Sequence, residues 1–147
     1  MKSLYESILD DEKVLISNVR KDVIAMCIYK KLINQETLEQ SELNWMNDNV
    51  SVLEVNIQQL KNLLSKLHKK YYNISLNWLD VSKITDMSEL FKGSKFNVDI
   101  SKWDVSKVIT MSEMFAGAKE FNCDISKWDV SNVEYMKGMF KGATEFN

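Results

Sequence analysis

The sequence predicts an α+β fold, in which an N-terminal helical domain over residues 1–73 precedes a short solenoid with a small parallel sheet over residues 74–147. Two observations support this prediction. The chain has no proline, and no glycine precedes Gly93, so little interrupts helices in the first domain. The remainder repeats with a period of 24–25 residues. Such a period is typical of a solenoid, in which each coil buries its apolar side against the next.

Four helical segments are expected in the first domain. Ser3–Glu6 has the Ser-x-x-Glu form of a capping box, and a longer helix is predicted from about Glu12 to Leu32. The sequence LEQSELNWM at Leu38–Met46 predicts a short third helix, and Asn47–Asn49 offers a cap for a fourth. Steps of three and four residues place one apolar set of the long helix on a common face, namely Leu15, Val19, Val23, Met26 and Cys27.

The fourth helix carries a heptad pattern. Seven apolar residues alternate at spacings of 3 and 4: Val50, Leu53, Ile57, Leu60, Leu64, Leu67 and Tyr71. One interpretation is a coiled-coil homodimer that associates through Leu53, Ile57, Leu60, Leu64 and Leu67. We favour packing against the chain's own helices, because three heptads are the lower limit for a persuasive coiled coil. This helix is also the best candidate to cap the first coil.

The repeat units align on the sequence Asp-Val-Ser. Corresponding positions hold the same residue type in all three units: Val81, Val105 and Val130; Met87, Met111 and Met136; Phe91, Phe115 and Phe140; Gly93, Gly117 and Gly142; Phe96, Phe121 and Phe146. The octapeptide DISKWDVS occurs twice without change, at 99–106 and 124–131. We expect the shared apolar residues to fill the space between coils, because successive coils need the same side chains at the same place.

The spacing of the apolar residues also predicts the geometry of a coil. Ile-x-x-Trp-x-Val, beginning at Ile100, follows the leucine-rich-repeat spacing L-x-x-L-x-L, whose centre is a short strand that pairs in parallel with the next coil. Trp103 and Val105 would then point inward, since side chains alternate along a strand. On the opposite side, TMSEMF predicts a short helical turn that starts with a cap at Thr110 and ends at Gly117.

These motifs carry a family resemblance. The sequences MFKGATEFN, FNCDISKW and WDVSNV resemble the BspA-like surface-protein repeat family, a leucine-rich-repeat variant found in many bacteria and some of their viruses. The resemblance covers residues 74–147. It implies a right-handed, curved solenoid with a parallel sheet on its concave side, and a role in adhesion or protein recognition. None of the shared motif residues is catalytic in that family.

Two candidate surfaces for binding a protein partner follow. The first is a polar row on the concave face, formed by Asp80, Ser82, Lys102, Asp104, Ser106, Lys127, Asp129 and Ser131. An alternative explanation is that its aspartates and serines bond neighbouring backbone N–H groups in turns. The second is an open end after the third unit, because the sequence reaches Asn147 just before the next Asp-Ile-Ser is due. Two explanations stay open: the natural protein ends on an unfinished coil, or this sequence is a fragment of a longer repeat protein. Such an end exposes apolar side chains and an unpaired edge.

Composition narrows the functional classes. Acidic and basic residues are mixed and the net charge is −2, so no basic face indicates nucleic acid or a membrane surface. No secretion signal is recognised and the longest apolar run, residues 23–29, is too short to span a bilayer, so we expect a cytoplasmic protein. Cys27 and Cys123 are expected to be free thiols.

The sequence favours a binding protein over an enzyme. It has one histidine, no phosphate-binding glycine loop and no Cys/His cluster, so we expect no catalytic residue, metal or cofactor. The preferred function is a non-enzymatic protein–protein interaction module. An alternative is an intracellular inhibitor, phage-encoded or bacterial, that blocks a host defence enzyme. A self-assembling structural protein, joined through the heptad helix or the open end, is less favoured.

Overall fold

The structure is a computed structural model that describes residues 18–147. Three α-helices come first: α1 at Asn18–Ile33, α2 at Gln40–Asp48 and α3 at Ile57–Lys66. A short 3-10 helix follows at Lys69–Tyr71. The capping box predicted at Ser3–Glu6 and the start of the long helix near Glu12 lie outside the described residues.

Helix α1 buries a different face from the one predicted. The buried side chains at steps of four are Ile24, Ile28 and Leu32, whereas Val23 and Met26 are exposed. The predicted face is therefore wrong at Val23 and Met26, whereas Leu15 and the side chain of Val19 lie outside what the structure describes. Residues 23–29 are apolar on all sides, so periodicity alone does not select a face. The selection comes from packing, since α1 lies against α3 and against the strand that precedes α3.

Helix α2 forms where it was expected, but the fourth helix does not. Glu39 caps α2 through a reciprocal capping box with Glu42. The predicted helix over residues 50–71 is wrong at both ends. Strand β1 occupies Leu53–Glu54, and helix α3 starts only after Asn56, whose side chain accepts the N–H of Gln59.

The sheet is small and parallel. Strand β1 pairs with β2 at Leu79–Asp80, so that Leu53 lies opposite Leu79. Three isolated parallel bridges continue the pairing from one repeat unit to the next: Ser75 with Asp99, Asp86 with Thr110, and Thr110 with Tyr135. The mixed α+β class with a small parallel sheet is therefore confirmed.

The strands predicted around Trp103 and Trp128 are absent. The backbone N–H of Trp103 bonds the carbonyl of Ile100, and Trp128 does the same with Ile125, so both stretches turn locally instead of pairing with a neighbouring unit. The inward direction of the side chains is nevertheless as expected. Trp103 and Val105 are both buried.

The short helix predicted at TMSEMF is also absent. Glu113 has φ 55° and its equivalent Glu89 has φ 59°, which interrupts any right-handed turn. Instead, alternate N–H groups of one unit donate to carbonyls of the next. Met87 donates to Thr110 at 3.0 Å, and Phe91 donates to Met114 at 2.8 Å. The same pattern joins the second unit to the third.

One hydrophobic core runs from α1 to the third unit. Within the repeats it contains two ladders of stacked aromatic rings. The first ladder is Phe91, Phe115 and Phe140, with centroid spacings of 5.3 and 5.5 Å. In the second ladder, Phe121 stacks on Phe146 at 5.7 Å. At the other end, Trp45 of α2 meets Trp78 edge to face, so the helices cover the first unit directly.

The tryptophans also tie the repeats together by hydrogen bonds. The indole N–H of Trp103 donates to the carbonyl of Leu76 at 2.8 Å, and that of Trp128 donates to the carbonyl of Ile100 at 3.1 Å. Each indole therefore reaches back by one unit. This explains why a residue as large as tryptophan recurs at the same place in the repeat.

Candidate interaction surfaces

The polar row lies on turns and not on a sheet. Of its eight residues only Asp80 belongs to a strand, where it lies opposite Glu54. All eight retain solvent access, either partly buried or exposed. The predicted location on paired strands is therefore wrong for residues 102–106 and 127–131, while their outward direction agrees with the structure.

The aspartates of the row are engaged in local turns. The backbone N–H of Ser106 donates to Asp104 Oδ1 at 3.0 Å, and the same bond joins Ser131 to Asp129 at 3.0 Å. Hydrogen bonds from the Ser106 side chain and backbone hold the pKa of Asp104 below its ordinary value. Hydrogen bonding by Ser131 lowers the pKa of Asp129 in the same way. Each carboxylate therefore stabilises the turn that carries it.

The same turn recurs outside the row, which indicates a structural role. Asp99 accepts from the N–H of Ser101 at 3.0 Å and Asp124 from that of Ser126 at 2.9 Å. Within residues 18–147, no three His, Cys, Asp or Glu side chains lie close enough together to hold a metal ion. Lys102 and Lys127 are the exposed members of the row whose side chains are not part of such a turn.

The last unit exposes apolar residues that its predecessors bury. Met136 is 43% exposed, whereas Met87 and Met111 are fully buried, and Val130 is 38% exposed, whereas Val105 is 1% exposed. Tyr135 beside them is 59% exposed. We call this surface the end face and define it by Val130, Tyr135, Met136 and Phe140. It is the side of the third unit that corresponds to the covered side of the first two.

A row of backbone donors lies along the end face. In the first two units, four alternate N–H groups donate to the following unit. The corresponding groups of the third unit have no backbone acceptor among the described residues; they belong to Met136, Gly138, Phe140 and Gly142. The end face therefore combines exposed apolar side chains with unused N–H donors, as expected for an open edge.

The residues proposed for self-association lie mostly inside the chain's own core. Leu60, Leu64 and Leu67 are buried, and Leu53 and Ile57 are partly buried against the same core. The hydroxyl of Tyr29 in α1 donates to the backbone carbonyl of Gln59, which fixes α3 against α1. A homodimer through these residues stays a prediction, and it would require this packing to open.

An asparagine ladder was missed by the sequence analysis. The N–H of Asn122 donates to Asn97 Oδ1 at 2.7 Å, and that of Asn147 donates to Asn122 Oδ1 at 3.1 Å. The signal was the recurrence of Phe-Asn at 96–97, 121–122 and 146–147, of which only the phenylalanine was used. The side chains of Asn97 and Asn122 therefore each link their own unit to the one that follows.

The two cysteines are unpaired, as expected. Burial raises the pKa of the Cys123 thiol, and the sulfur lies 3.5 Å from the backbone nitrogen of Ile100. Burial also raises the pKa of Cys27. Neither thiol is therefore activated as a nucleophile. None of the helices in the described part of the chain combines the length and apolar character that crossing a membrane requires.

Comparison with known proteins identifies the family. The family profile described as "Mycoplasma protein of unknown function, DUF285" matches residues 58–147. The match includes nearly all of helix α3 as well as the repeats. It places the chain in the BspA-like and Mycoplasma repeat group in general, which agrees in part with the expected BspA-like resemblance. No curated protein and no solved structure matches the chain. The chain therefore belongs to the DUF285 family of Mycoplasma proteins of unknown function.

Proposed function

We propose that residues 74–147 form a short leucine-rich-repeat-like solenoid of the BspA type, and that the chain is a non-enzymatic module that binds a protein partner. The parallel bridges and the N–H donors that join each unit to the next support the solenoid, since both recur at the repeat period. The aromatic ladders support it further, because equivalent rings stack on one another.

The end face is the observation that carries the binding function. Tyr135 and Met136 are large apolar side chains with more than two fifths of their surface exposed, beside N–H donors that have no backbone acceptor within residues 18–147. Tyrosine and methionine are enriched at protein interfaces, where they supply apolar contact area. The polar row is the weaker candidate, because its aspartates are engaged in turns of the kind that recur throughout the array.

An affinity capture with matched variants tests this function. The tagged chain is incubated with bacterial lysate beside an end-face variant, Tyr135→Lys with Met136→Glu, and a row variant, Asp104→Lys with Asp129→Lys. We expect a specific protein to be retained by the unmodified chain and the row variant but lost by the end-face variant. Circular dichroism of all three chains checks that they are folded.

Two results would count against the proposal. Retention of no specific protein by the unmodified chain would remove the support for a binding module. Loss of the captured protein in the row variant alone would move the binding site from the end face to the polar row.

A further inference from the structure

We propose that the end face docks one further polypeptide unit of the repeat's own pattern, with the sequence Asp-Met-Ser-Glu-x-Phe laid parallel to residues 135–140. This inference rests on the proposed function and names the chemistry of the partner. The pattern is that of the first unit, residues 86–91. The two interfaces already present inside the array show the contacts that the end face would repeat.

The direction of the hydrogen bonds defines what the partner must offer. In the alternate ladder the donors belong to the earlier unit and the acceptors to the later one, with N···O distances of 2.7–3.0 Å along both interfaces. Just before this ladder the direction reverses, because Ile109 and Glu134 donate back to the carbonyls of Thr85 and Ile109. The end face therefore offers four ladder donors, on the alternate residues Met136, Gly138, Phe140 and Gly142, and one carbonyl, that of Glu134. A partner must therefore bring backbone carbonyls on alternate residues, as Thr110, Ser112, Met114 and Ala116 do within the array.

The same direction argues against a second copy of the chain. Two end faces brought together would oppose four N–H donors with four N–H donors, and the one Glu134 carbonyl of each copy is too few acceptors for them. Head-to-tail stacking meets a different obstacle. Strand β1 pairs with β2 of the first unit, and the N–H of Val55 donates to the carbonyl of Asp80, so the helical part already covers that end.

The charges of the third unit specify the partner's acidic residues. Across the first interface the ammonium of Lys92 pairs with the carboxylate of Glu113. Lys141 holds the position of Lys92 in the third unit, so a glutamate two residues after the partner's methionine would meet it. Such a glutamate follows the methionine at residues 89 and 113 but not at 138, where the third unit has glycine.

A second lysine selects the residue before the methionine. The hydroxyl oxygens of Ser88 and Thr110 lie 2.8 Å apart across the first interface. In the third unit Lys137 replaces Ser88, so an acidic residue in the place of Thr110 would pair with it. Asp86 occupies that place in the first unit. The first-unit sequence therefore supplies an acidic residue for both lysines.

The apolar contacts complete the match. The rings of Phe91, Phe115 and Phe140 stack at 5.3 and 5.5 Å, and a further phenylalanine in register would continue the ladder over Phe140. The partner would also cover Met136, whose equivalents in the first two units are fully buried. Burial of this exposed apolar surface supplies affinity that the hydrogen bonds and ion pairs alone lack.

The test uses the full chain and a synthetic peptide that copies Thr85–Asn97. Fluorescence anisotropy of the labelled peptide should show saturable binding, which Lys141→Glu weakens by about tenfold because an attractive pair becomes repulsive. A peptide with lysine in the place of Glu89 should restore binding to the Lys141→Glu variant. Lys66→Glu, a matched charge reversal at an exposed position of helix α3 outside both candidate surfaces, should leave the affinity unchanged.

A second measurement covers the case in which a free peptide binds too weakly. The chain is extended after Asn147 by a copy of Val98–Asn122, and amide exchange is followed by NMR. We expect exchange to slow at least about tenfold at the four alternate donors of the end face. The neighbouring amides of Met139, Lys141 and Ala143 already bond within their own unit and should change little.

The outcomes separate this inference from the proposed function. Peptide binding with charge-swap rescue, or selective protection in the extended chain, supports the docked unit. The inference is overturned if Lys141→Glu leaves the peptide affinity unchanged. It is also overturned if the peptide does not bind and the extension does not slow exchange at the four donors. A dimer of the unmodified chain in light scattering that Lys141→Glu disrupts would assign the surface to a second copy instead. Capture of a lysate protein through Tyr135 and Met136 would still stand if the docked unit failed.

Discussion

Replacing Trp103 tests the central claim that each unit is tied to its predecessor by a buried indole. The side chain is 3% exposed, and its N–H donates to the carbonyl of Leu76, a residue that is fully buried. Trp103→Ala removes the aromatic volume and leaves a cavity, which costs about 3–5 kcal/mol. Trp103→Phe keeps most of the volume but removes the indole donor, so the Leu76 carbonyl keeps only its bond from the Leu79 N–H. The loss of this one hydrogen bond should cost about 0.5–1.5 kcal/mol.

Trp128, the equivalent residue one repeat later, provides a comparison for the size of this loss. Trp128 is 8% exposed and adjoins the end face, so its surroundings are open to solvent on one side. We expect Trp128→Ala to cost about 3 kcal/mol, at the lower end of the range, because water reaches the cavity more easily. Tyr135→Ala is the control. Its side chain is 59% exposed, so the change should stay within about 0.5 kcal/mol.

The free energies of unfolding are measured by urea titration followed by far-UV circular dichroism, because the substitutions themselves alter tryptophan fluorescence. For a slope near 2 kcal/mol/M, a loss of 3 kcal/mol lowers the midpoint by about 1.5 M. An unchanged slope is required, since repeat arrays can lose cooperativity. A cost below about 1 kcal/mol for Trp103→Ala, with the slope unchanged, would refute the buried, hydrogen-bonded position.

Three other substitutions probe the backbone, the turns and the helical part. Gly117 has φ +69°, so Gly117→Ala should lower the free energy of unfolding by about 1 kcal/mol in thermal unfolding. Gly117→Asn should lower it less, and equal losses would argue against backbone strain at this position. The pKa values of Asp104 and Asp129 are lowered by folding, so the stability they contribute is present above the ordinary value of 3.8 and is lost as the pH falls below it. When both aspartates are changed to Asn, the free energy of unfolding should fall less steeply between pH 5 and pH 2. An unchanged dependence of this free energy on pH would contradict the prediction. Lys31→Met removes the ammonium 2.8 Å from the fully buried Glu42 and should cost about 3 kcal/mol in urea unfolding, unless Glu42 is changed to Gln as well.

The repeat register could be predicted from the sequence because it depends on identical residues at a fixed period. Matching phenylalanines stack, and the predicted inward tryptophan and valine at 103 and 105 are buried. The end face was also predictable in outline, since its exposed Val130 and Met136 correspond to Val105 and Met111, which are buried one unit earlier. Here the repetition itself supplies the information, and no knowledge of the long-range contacts was needed.

The local backbone could not be predicted in the same way. The sequence Thr-Met-Ser-Glu is as compatible with a helix cap as with a turn. Hydrogen bonds to the neighbouring unit decide which of the two structures forms. Those bonds hold Glu113 at positive φ, which its side chain alone disfavours. The heptad over residues 50–71 failed for a related reason. Pairing of Leu53 with Leu79, which is distant in the sequence, converts the expected first helical turn into a strand.

Differences between the units bear more on recognition than their shared residues do. The doubled sequence DISKWDVS provides inward apolar side chains and the aspartates of local turns, so its exact repetition follows from the needs of stacking. The third unit departs from both earlier units at Lys137 and Gly138, where they have serine and glutamate, and at Lys141 it keeps the lysine of the first unit. All three residues lie along the segment whose alternate N–H donors have no backbone acceptor among residues 18–147. Two of them are positively charged, so the docking proposed above would select an acidic edge as well as backbone carbonyls.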